Sequence, residues 1–331
     1  MSSPSLVGVR RLHRVNRALR GPHNKLSAGS LLLPRGLASA AATSSEGGRR
    51  RLKIGFLGAG DISNLHAEGL AACVGADLHG LWSRTDEMVP SPAAKAEQYG
   101  CALYDSAEAL CADDAIDAVF VLTNFETHEA YATMAMEAGK HVLVEKPVAA
   151  SVAELERLKA VAAKNGVVCV PGHNYIHEPP LVRARAMVES GDLGKLTSVY
   201  VMYNIHHPEA ICARFPGVIR QIMTHHAYVS LFLLGKDPAN QPQRLSCFRS
   251  TIRDADDDTG TSPQENHAMV TMQTTGGCLI HLCASFAADD HSSDPWSFYV
   301  KLIGTISARY RITAIVIPQL CKDGYLPYER Q

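Results

Sequence analysis

The sequence has no long uninterrupted hydrophobic run, and this absence argues against a membrane-spanning helix. Apolar stretches such as residues 118–122 are far shorter than the ~18 residues that such a helix needs. The nine cysteines are odd in number and form no Cys-x-x-Cys pair, so they indicate reduced, mostly buried thiols. The remaining composition, 331 residues with 46% hydrophobic and 20% charged, is ordinary for a soluble globular protein with room for two domains.

Acidic residues are absent from the first 45 positions, whereas seven Arg and Lys residues occur there. Val9, Leu12, Val15 and Leu19 recur at helical spacing with arginines between them, which is typical of an organellar transit peptide. We expect a mitochondrial destination first and a plastid second, and a cytoplasmic protein if residues 1–48 are only a disordered basic tail. The rest of the chain is acidic, which argues against nucleic-acid binding.

The region after this segment opens with a predicted strand over residues 52–57, followed by a Gly-x-Gly-x-x-Ser motif. Gly58 permits a tight turn, Gly60 lets the backbone approach a pyrophosphate, and the small Ser63 allows close helix–strand packing. The N-terminal amides and dipole of the next helix supply an anion site. The predicted nucleotide contacts in this segment are Gly58, Gly60, Asp61 and Ile62.

The end of the second predicted strand, residues 77–82, bears on the choice of cofactor. An acidic side chain there binds the ribose 2′-hydroxyl of NAD, whereas an Arg accommodates the 2′-phosphate of NADP. This chain has Ser83, Arg84 and Thr85 at that place, and the nearest acid, Asp86, comes later. We therefore expect NADP, with NAD as the second cofactor. The alternative is that Arg84 packs over the adenine ring in an enzyme of mixed preference.

Strands and helices then alternate up to residue 170, which predicts a doubly wound parallel sheet. The predicted helices cover residues 92–99, 127–138 and a segment from the Ser151 cap to Gly166, and another starts at an Asp105-x-x-Glu108 capping box. Later strands follow one another with few helices between them, which fits a largely antiparallel sheet. These strands are predicted at residues 196–205, 244–253, 266–274, 278–286 and 296–303. We expect a Rossmann domain over residues 49–172 and a substrate-binding and dimerisation domain over 173–331.

A charged trio, Glu145-Lys146-Pro147, follows the short apolar run of residues 141–144. In an open parallel sheet, ligands bind beyond the carboxyl ends of the strands, so Lys146 lies at the predicted site by topology. Pro147 fixes its own φ, holds the preceding residue extended and can take a cis bond. The alternative is an ordinary surface lysine that ends a strand. Further predicted cofactor contacts on this side of the sheet are Thr123, Asn124, His128, Glu145 and Lys146.

Three stretches of the chain together resemble the Gfo/Idh/MocA oxidoreductase family. They are IGFLGAGDIS, DAVFVLTNFETHEAYATMAMEAGKHVLVEKP and GDLGKL, and the resemblance extends over about residues 52–305. It implies a Rossmann domain followed by an α/β domain whose open, mostly antiparallel sheet mediates homodimers or higher homo-oligomers. It also implies that Lys146 is a catalytic residue beside the nicotinamide.

The resemblance extends to residues 219–235, where the family carries an Asp and, four residues later, a His. The His is His225, but Gln221 stands in place of the Asp and Tyr228 in place of a second Asp. Glutamine is neither an acid nor a base, so a step assisted by that Asp is not expected here. His225, with an ordinary pKa near 6.5, suits proton transfer; the alternative is that it caps or packs the helix. The residues expected to orient the substrate are Asn174, Tyr175 and Gln221.

From these residues we expect an NADP-dependent oxidoreductase that transfers a hydride between nicotinamide and a secondary alcohol or carbonyl of a sugar, polyol or dihydrodiol. Lys146, with a pKa depressed by desolvation, would stabilise the alkoxide, and His225 would act as general base. The alternatives are an NAD-assisted glycosidase of the same fold and a non-catalytic nucleotide-binding protein.

Two other features carry less weight. Six histidines raise the question of zinc, namely His173, His177, His206, His207, His225 and His226, but no matching signature accompanies them, so no metal site is predicted. The acidic stretches 254–258 and 289–294 lack EF-hand spacing and are expected to be solvated loops. Beyond residue 305 the chain departs from the family pattern, and we expect part of the second sheet and its closing elements to be missing.

Overall fold

The computed structural model describes residues 50–84, 90–205, 217–252, 264–287 and 298–306, and the backbone alone of 313–316. The segment predicted to be a transit peptide, residues 1–48, lies outside this range, as do Thr85, His206, His207 and the two acidic stretches. The description that follows concerns residues 50 onward, which form one unit by their internal contacts.

The first half of this unit is built on a sheet of six parallel strands in the order β3-β2-β1-β4-β5-β6. This confirms the predicted doubly wound sheet. The strand order reverses between β1 and β4, which is the place where such sheets bind a dinucleotide. The strands are β1 (Leu52–Leu57), β2 (Ala76–Trp82), β3 (Ala102–Leu103), β4 (Ala118–Val121), β5 (His141–Val144) and β6 (Cys169–Pro171).

Five helices connect these strands, and side-chain caps begin three of them. Ser91, Ser106 and Ser151 each accept a hydrogen bond from a backbone amide three residues further on. The prediction that Asp105 caps the third helix is wrong, because the adjacent Ser106 has the extended backbone and makes this bond. The helices are α1 (Asp61–Ala71), α2 (Pro92–Tyr99), α3 (Ala107–Ala112), α4 (His128–Glu137) and α5 (Val152–Asn165).

The second half carries a mixed sheet in the order β12-β11-β7-β10-β9-β8. Its pairs are antiparallel except β10 with β7, so the predicted mostly antiparallel sheet is confirmed. The strands are β7 (Leu196–Asn204), β8 (Pro242–Ser250), β9 (His267–Thr274), β10 (Leu279–Ser285), β11 (Phe298–Gly304) and β12 (Thr313–Val316). The last strand belongs to the region where the family pattern ends, so that region does contribute a strand.

Two helices, α6 (Pro179–Glu189) and α7 (Thr224–Leu234), pack on one face of this second sheet. Alternate residues of β7, Val199, Val201 and Tyr203, point into the core beneath them. A five-residue π turn, Ile219–Met223, leads directly into α7. Wide turns of this kind occur inside helices mostly at functional sites. Here the turn brings the start of α7 to the end of β5.

Candidate active site

The turn between β1 and α1 has the geometry of a phosphate cradle. Gly58 has φ +108°, and a Cβ there would lie 2.8 Å from the main-chain carbonyl of Leu122. Gly60 is the N-cap residue of α1, and a Cβ there would meet no atom within 4 Å. No side chain caps α1, and the Ser63 amide donates to the Gly60 carbonyl at 3.0 Å, so the amides of Asp61 and Ile62 are the ones that can bind an anion. This turn therefore fits the pyrophosphate of a dinucleotide.

A polar cluster fixes the start of α1 from behind. Ser63 is fully buried, donates to the carbonyl of Gly60 at 2.6 Å and lies 2.9 Å from the Tyr99 hydroxyl. Tyr99 also donates to Asn64 Oδ1 at 2.6 Å, and the buried ammonium of Lys95 bonds the same oxygen. The close helix packing predicted at Ser63 is thus present, and it is secured by hydrogen bonds as well as by size.

At the end of β2, Ser83 is half-buried and Arg84 is exposed. Both residues stand at the position where a dinucleotide's ribose is recognised in this architecture. Trp82, the last residue of the strand, packs edge to face against Tyr131 of α4, with ring centroids 5.5 Å apart. This contact fixes where the strand ends and hence where Arg84 emerges.

His128, predicted as a cofactor contact, is buried at the start of α4. Its Nδ1 lies 2.8 Å from the carbonyl oxygen of Pro147, and its Nε2 lies 3.0 Å from that of Thr123. The ring therefore connects the loop after β4 with the loop after β5. Any effect of His128 on a nucleotide is exerted through those loops, whereas Asn124 is exposed beside them.

Glu145 is buried in front of the sheet and forms two hydrogen bonds. One carboxylate oxygen lies 2.9 Å from His66 Nε2, and the other accepts the amide of Lys146 at 2.9 Å. His66 belongs to α1, so this contact ties the nucleotide-binding helix to the loop after β5. Glu145, which was predicted as a cofactor contact, thus has a hydrogen bond within the protein at each of its two carboxylate oxygens.

Lys146 follows β5 at its carboxyl end, as predicted, and the Lys146–Pro147 peptide bond is cis. Its Nζ donates to the main-chain carbonyl of Gln221 at 3.1 Å. This bond joins the Rossmann sheet to the π turn before α7, and it uses the backbone of Gln221 rather than its side chain. Burial lowers the pKa of the Lys146 ammonium, and the neighbouring charge of Glu145 opposes that shift.

His225 is buried in the first turn of α7, next to this lysine. Burial lowers the pKa of its imidazole well below the ordinary value of 6.5, and the charges of Lys146, His226 and His173 lower it further. The sequence analysis used the ordinary pKa; the structure makes His225 a neutral side chain throughout the physiological range. A neutral imidazole is the form that can accept a proton.

Tyr228 connects His225 to the loop after β6. Its hydroxyl lies 2.7 Å from His225 Nδ1 and donates to Asn174 Oδ1 at 3.0 Å. The ring of His173 stacks on it, with centroids 4.0 Å apart. Sequence reasoning noted Tyr228 only as a departure from a family pattern and gave His173 no role. The three-residue spacing of His225 and Tyr228, one helical turn, was the signal available.

The predicted substrate residues have different environments. Asn174 is exposed and Gln221 is half-buried. Tyr175 is buried, and its ring stacks on Phe298 with centroids 4.4 Å apart and planes 3° apart. Tyr175 thus contributes its ring to the core, while Asn174 remains accessible to a ligand.

A cavity of about 360 Å³ adjoins the loop after β5. Pro147 lines it on the Rossmann side, and Met223 and Leu282 line it on the side of the second sheet. At its edge, the guanidinium of Arg220 lies over the ring of Phe125, 5.6 Å from the centroid.

Within the described residues, no group of three or more His, Cys, Asp or Glu side chains is placed to hold a metal ion. Among the same residues, no helix has the length and hydropathy that crossing a bilayer requires.

Comparison with known protein families places both halves of the chain in one group. The model described as "Oxidoreductase family, NAD-binding Rossmann fold" matches residues 52–173. The model described as "GFO/IDH/MocA C-terminal domain" matches residues 181–306. The two matches correspond to the two sheets.

Curated relatives include several dehydrogenases and reductases. A UDP-N-acetylglucosamine 3-dehydrogenase of Acidithiobacillus ferrooxidans is 34% identical over 57% of this chain and 56% of the relative. A dTDP-3,4-didehydro-2,6-dideoxy-alpha-D-glucose 3-reductase of Streptomyces violaceoruber is 28% identical over 57% of this chain and 56% of the relative. An inositol 2-dehydrogenase of Rhizobium meliloti is 26% identical over 57% of each. The chain thus spans little more than half the length of these relatives.

Solved structures share the fold over most of the chain. GenD2 from gentamicin A biosynthesis, solved in complex with NAD, has a TM-score of 0.68 at 25% identity, over 80% of this chain and 73% of that one. The apo scyllo-inositol dehydrogenase of Lactobacillus casei has a TM-score of 0.67 at 20% identity, over 77% of this chain and 73% of that one, and it supports the fold alone.

Proposed function

The chain belongs to the Gfo/Idh/MocA oxidoreductase family, and from this premise we propose that it is an NADP-dependent oxidoreductase. It transfers a hydride between nicotinamide and a secondary alcohol or carbonyl of a sugar, polyol or dihydrodiol. The observation that carries the proposal is the hydrogen bond from Lys146 Nζ to the carbonyl of Gln221. This bond brings the lysine at the end of β5 to the turn that begins the His225 helix.

The two side chains have complementary roles in alcohol oxidation. Lys146, a cation in a water-poor site, donates a hydrogen bond to the substrate hydroxyl and stabilises the alkoxide as it forms. His225, neutral because burial and adjacent charges lower its pKa, accepts the hydroxyl proton. In the direction of reduction the same two groups return the proton to the carbonyl oxygen.

The cofactor supplies the hydride chemistry when it is bound. The turn at Gly58 and Gly60 fits its pyrophosphate, because the first amides of α1 are uncapped and the space above Gly60 is open. The loops after β4 and β5, which His128 joins, border the nicotinamide end of the site in this architecture.

The choice of NADP rests on the tip of β2. Arg84 is exposed directly after the strand, and Ser83 precedes it; both side chains suit a 2′-phosphate. The family description and the GenD2 structure name NAD, so the preference for the phosphorylated cofactor is a proposal about this chain alone.

The substrate class follows from the relatives, whose names specify nucleotide-linked sugars and inositol. These molecules share a saturated six-membered ring that carries a secondary alcohol or a ketone. The cavity beside Pro147, at about 360 Å³, has the size of a small-molecule site.

The experiment is a fluorescence titration of residues 47–331 with NADPH and NADH side by side, followed by a panel of cyclic polyols, sugars and dihydrodiols read at the nicotinamide absorbance. We expect NADPH to bind at least about tenfold more tightly than NADH, with Arg84→Ala removing the difference. The exposed Arg183 on α6 gives the matched control, Arg183→Ala. Equal affinities for NADPH and NADH in the wild-type protein would refute the NADP assignment. The oxidoreductase proposal would then be tested by turnover of the substrate panel.

Gln221 stands where the family pattern has an acid, and this departure favours two alternative functions. An NAD-assisted glycosidase would release sugar from glycosides with no net change in cofactor absorbance. A non-catalytic nucleotide-binding protein would bind NADPH and turn over none of the panel.

We further propose that two copies pair through the face of the second sheet opposite α6 and α7. Phe248 of β8 and Met269 of β9 lie opposite each other on that face and are 74% and 45% exposed. Leu279 of β10 continues the apolar surface. We expect a dimer by light scattering and a monomer for Phe248→Asp, with the exposed Val74→Asp as control; a wild-type monomer would contradict the proposal.

The N-terminal segment supports a proposal on location. Its arginines and helical apolar spacing suit mitochondrial import. A reporter fused to residues 1–48 should enter mitochondria, and a cytoplasmic reporter would contradict this.

A further inference from the structure

The Tyr228 hydroxyl stands at the junction of three hydrogen bonds. It lies 2.7 Å from His225 Nδ1 and 3.0 Å from Asn174 Oδ1, and the amide of Tyr175 donates to it at 3.4 Å. Burial raises the pKa of this phenol, so the hydroxyl keeps its hydrogen at any physiological pH. It therefore has one hydrogen to donate.

The three partners differ in what they can do. A carbonyl oxygen such as Asn174 Oδ1 only accepts, and a backbone amide such as that of Tyr175 only donates. The phenol's single hydrogen therefore goes to Asn174. The remaining partner, His225 Nδ1, must then donate its own hydrogen to the phenol oxygen, because no other hydrogen is available for a 2.7 Å contact.

We propose that Asn174 and Tyr228 fix the tautomer of His225, so that Nδ1 carries the hydrogen and Nε2 is the atom that takes the substrate proton. This inference rests on the proposed function for its catalytic meaning. Tyr228 and Asn174 are positioning residues, since they act through His225. A neutral imidazole with the opposite tautomer would present an N–H at Nε2 and would not serve as base there.

The arrangement explains why this chain has Tyr at position 228. Two residues three apart on a helix are neighbours, so Tyr228 reaches His225 without distortion of α7. His173 stacks on the phenol ring with planes 13° apart, and this contact fixes the orientation of the ring and of its hydroxyl. Asn174 is exposed, so its amide nitrogen remains available to the substrate while its oxygen holds Tyr228.

Two substitutions at Asn174 separate tautomer control from packing. Asn174→Leu removes the acceptor at an exposed position. The phenol hydrogen is then free to be donated to His225 Nδ1, which places the imidazole hydrogen on Nε2. Asn174→Asp is the matched control, because a carboxylate accepts as the amide oxygen does and preserves the original tautomer.

The measurement is ¹⁵N NMR of the full chain labelled at histidine, without substrate or cofactor, with the His225 signals assigned by their loss in His225→Gln. We expect a protonated Nδ1 and an unprotonated Nε2 in the wild-type protein and in Asn174→Asp, and the reverse or an average in Asn174→Leu. A hydrogen on Nε2 of His225 in the wild-type protein overturns the proposal. This result would be seen if the Asn174 amide were turned so that its nitrogen donates to Tyr228. An Asn174→Leu spectrum identical to wild type also overturns it.

Kinetics supply a second readout once a substrate is known. Tyr228→Phe should lower kcat for alcohol oxidation by about tenfold or more with little change in KM, because the base is mispositioned while the binding surface remains. A raised KM at unchanged kcat would mean a role in binding and would overturn the positioning role. The NMR experiment does not require turnover, so it tests the tautomer of His225 independently of the proposed activity.

Discussion

Alanine should have different effects at the two glycines of the turn between β1 and α1. Gly58→Ala should destabilise the fold, whereas Gly60→Ala should weaken nucleotide binding. Gly58 has φ +108°, where an L-residue costs about 1–2 kcal/mol. The new Cβ would also lie 2.8 Å from the carbonyl carbon and oxygen of Leu122, and such overpacking against backbone costs a further ~1–3 kcal/mol. We expect Gly58→Ala to lower the free energy of unfolding by roughly 2–5 kcal/mol and the melting temperature by roughly 5–15 °C.

Gly60→Ala is the counterpart. Its φ of −66° suits alanine, and a Cβ there meets nothing within 4 Å, so we expect the melting temperature to change by the equivalent of about 0.5 kcal/mol or less. The methyl group would, however, occupy the space reserved for the pyrophosphate. We expect NADPH binding to weaken by at least about tenfold, which is ~1.4 kcal/mol.

The assay is thermal unfolding of both variants without nucleotide, followed by the NADPH titration. A Gly60→Ala protein that binds NADPH like the wild type would refute the assignment of this turn as the phosphate cradle. A Gly58→Ala protein with an unchanged melting temperature would contradict the close approach to Leu122.

Three further predictions concern charge. Lys146→Met should lower turnover by about 10²–10⁴-fold, since it removes the donor to the alkoxide. Lys164→Met, at the exposed end of α5, is the control and should leave turnover unchanged. Equal effects of the two substitutions on turnover would contradict the role of Lys146. Because the pKa of His225 lies well below 6.5, kcat/KM for alcohol oxidation should stay flat as the pH falls through 6.5, and a half-maximal point at or above 6.5 would exclude His225 as the base. Burial lowers the pKa of His226 to about 4, so the unfolded chain binds more protons than the folded one between about pH 6.5 and 4. Stability should therefore fall by up to about 3 kcal/mol as the pH decreases through that window, as checked by denaturant unfolding with His226→Gln flattening the slope.

The Rossmann half could be predicted from sequence because each of its signals is local. The alternation of apolar strands and capped helices specifies the parallel sheet, and the glycine motif specifies the turn after β1. Lys146 was placed by topology alone, and the structure confirms its position at the end of β5. Only boundaries differ: the helix predicted over residues 127–138, for example, is α4 at His128–Glu137.

The interior of the site could not be predicted in the same way, because it depends on contacts between distant segments. Tyr228 and Asn174 are 54 residues apart in sequence, and only the packing of α7 against the loop after β6 brings them together. His128 looked like a ligand contact from its place in the motif, yet its ring nitrogens face two backbone carbonyls. The pKa of His225 likewise depends on burial and on charges from two other segments, those of Lys146 and His173, which no local pattern encodes.

The charges of the site suit a reaction that creates a negative oxygen. Burial lowers the pKa values of both Lys146 and His225, and the lysine's positive charge lowers that of the histidine further. The charge of Glu145 opposes the shift at Lys146. Charging both would place two cations together in a water-poor site, at a large electrostatic cost. These directions are compatible with the proposed roles, in which Lys146 stabilises an alkoxide and His225 receives its proton. If these roles are right, a substitution that raises the pKa of His225 above the assay pH leaves the imidazole protonated and unable to accept a proton, and it should stop alcohol oxidation while the fold remains.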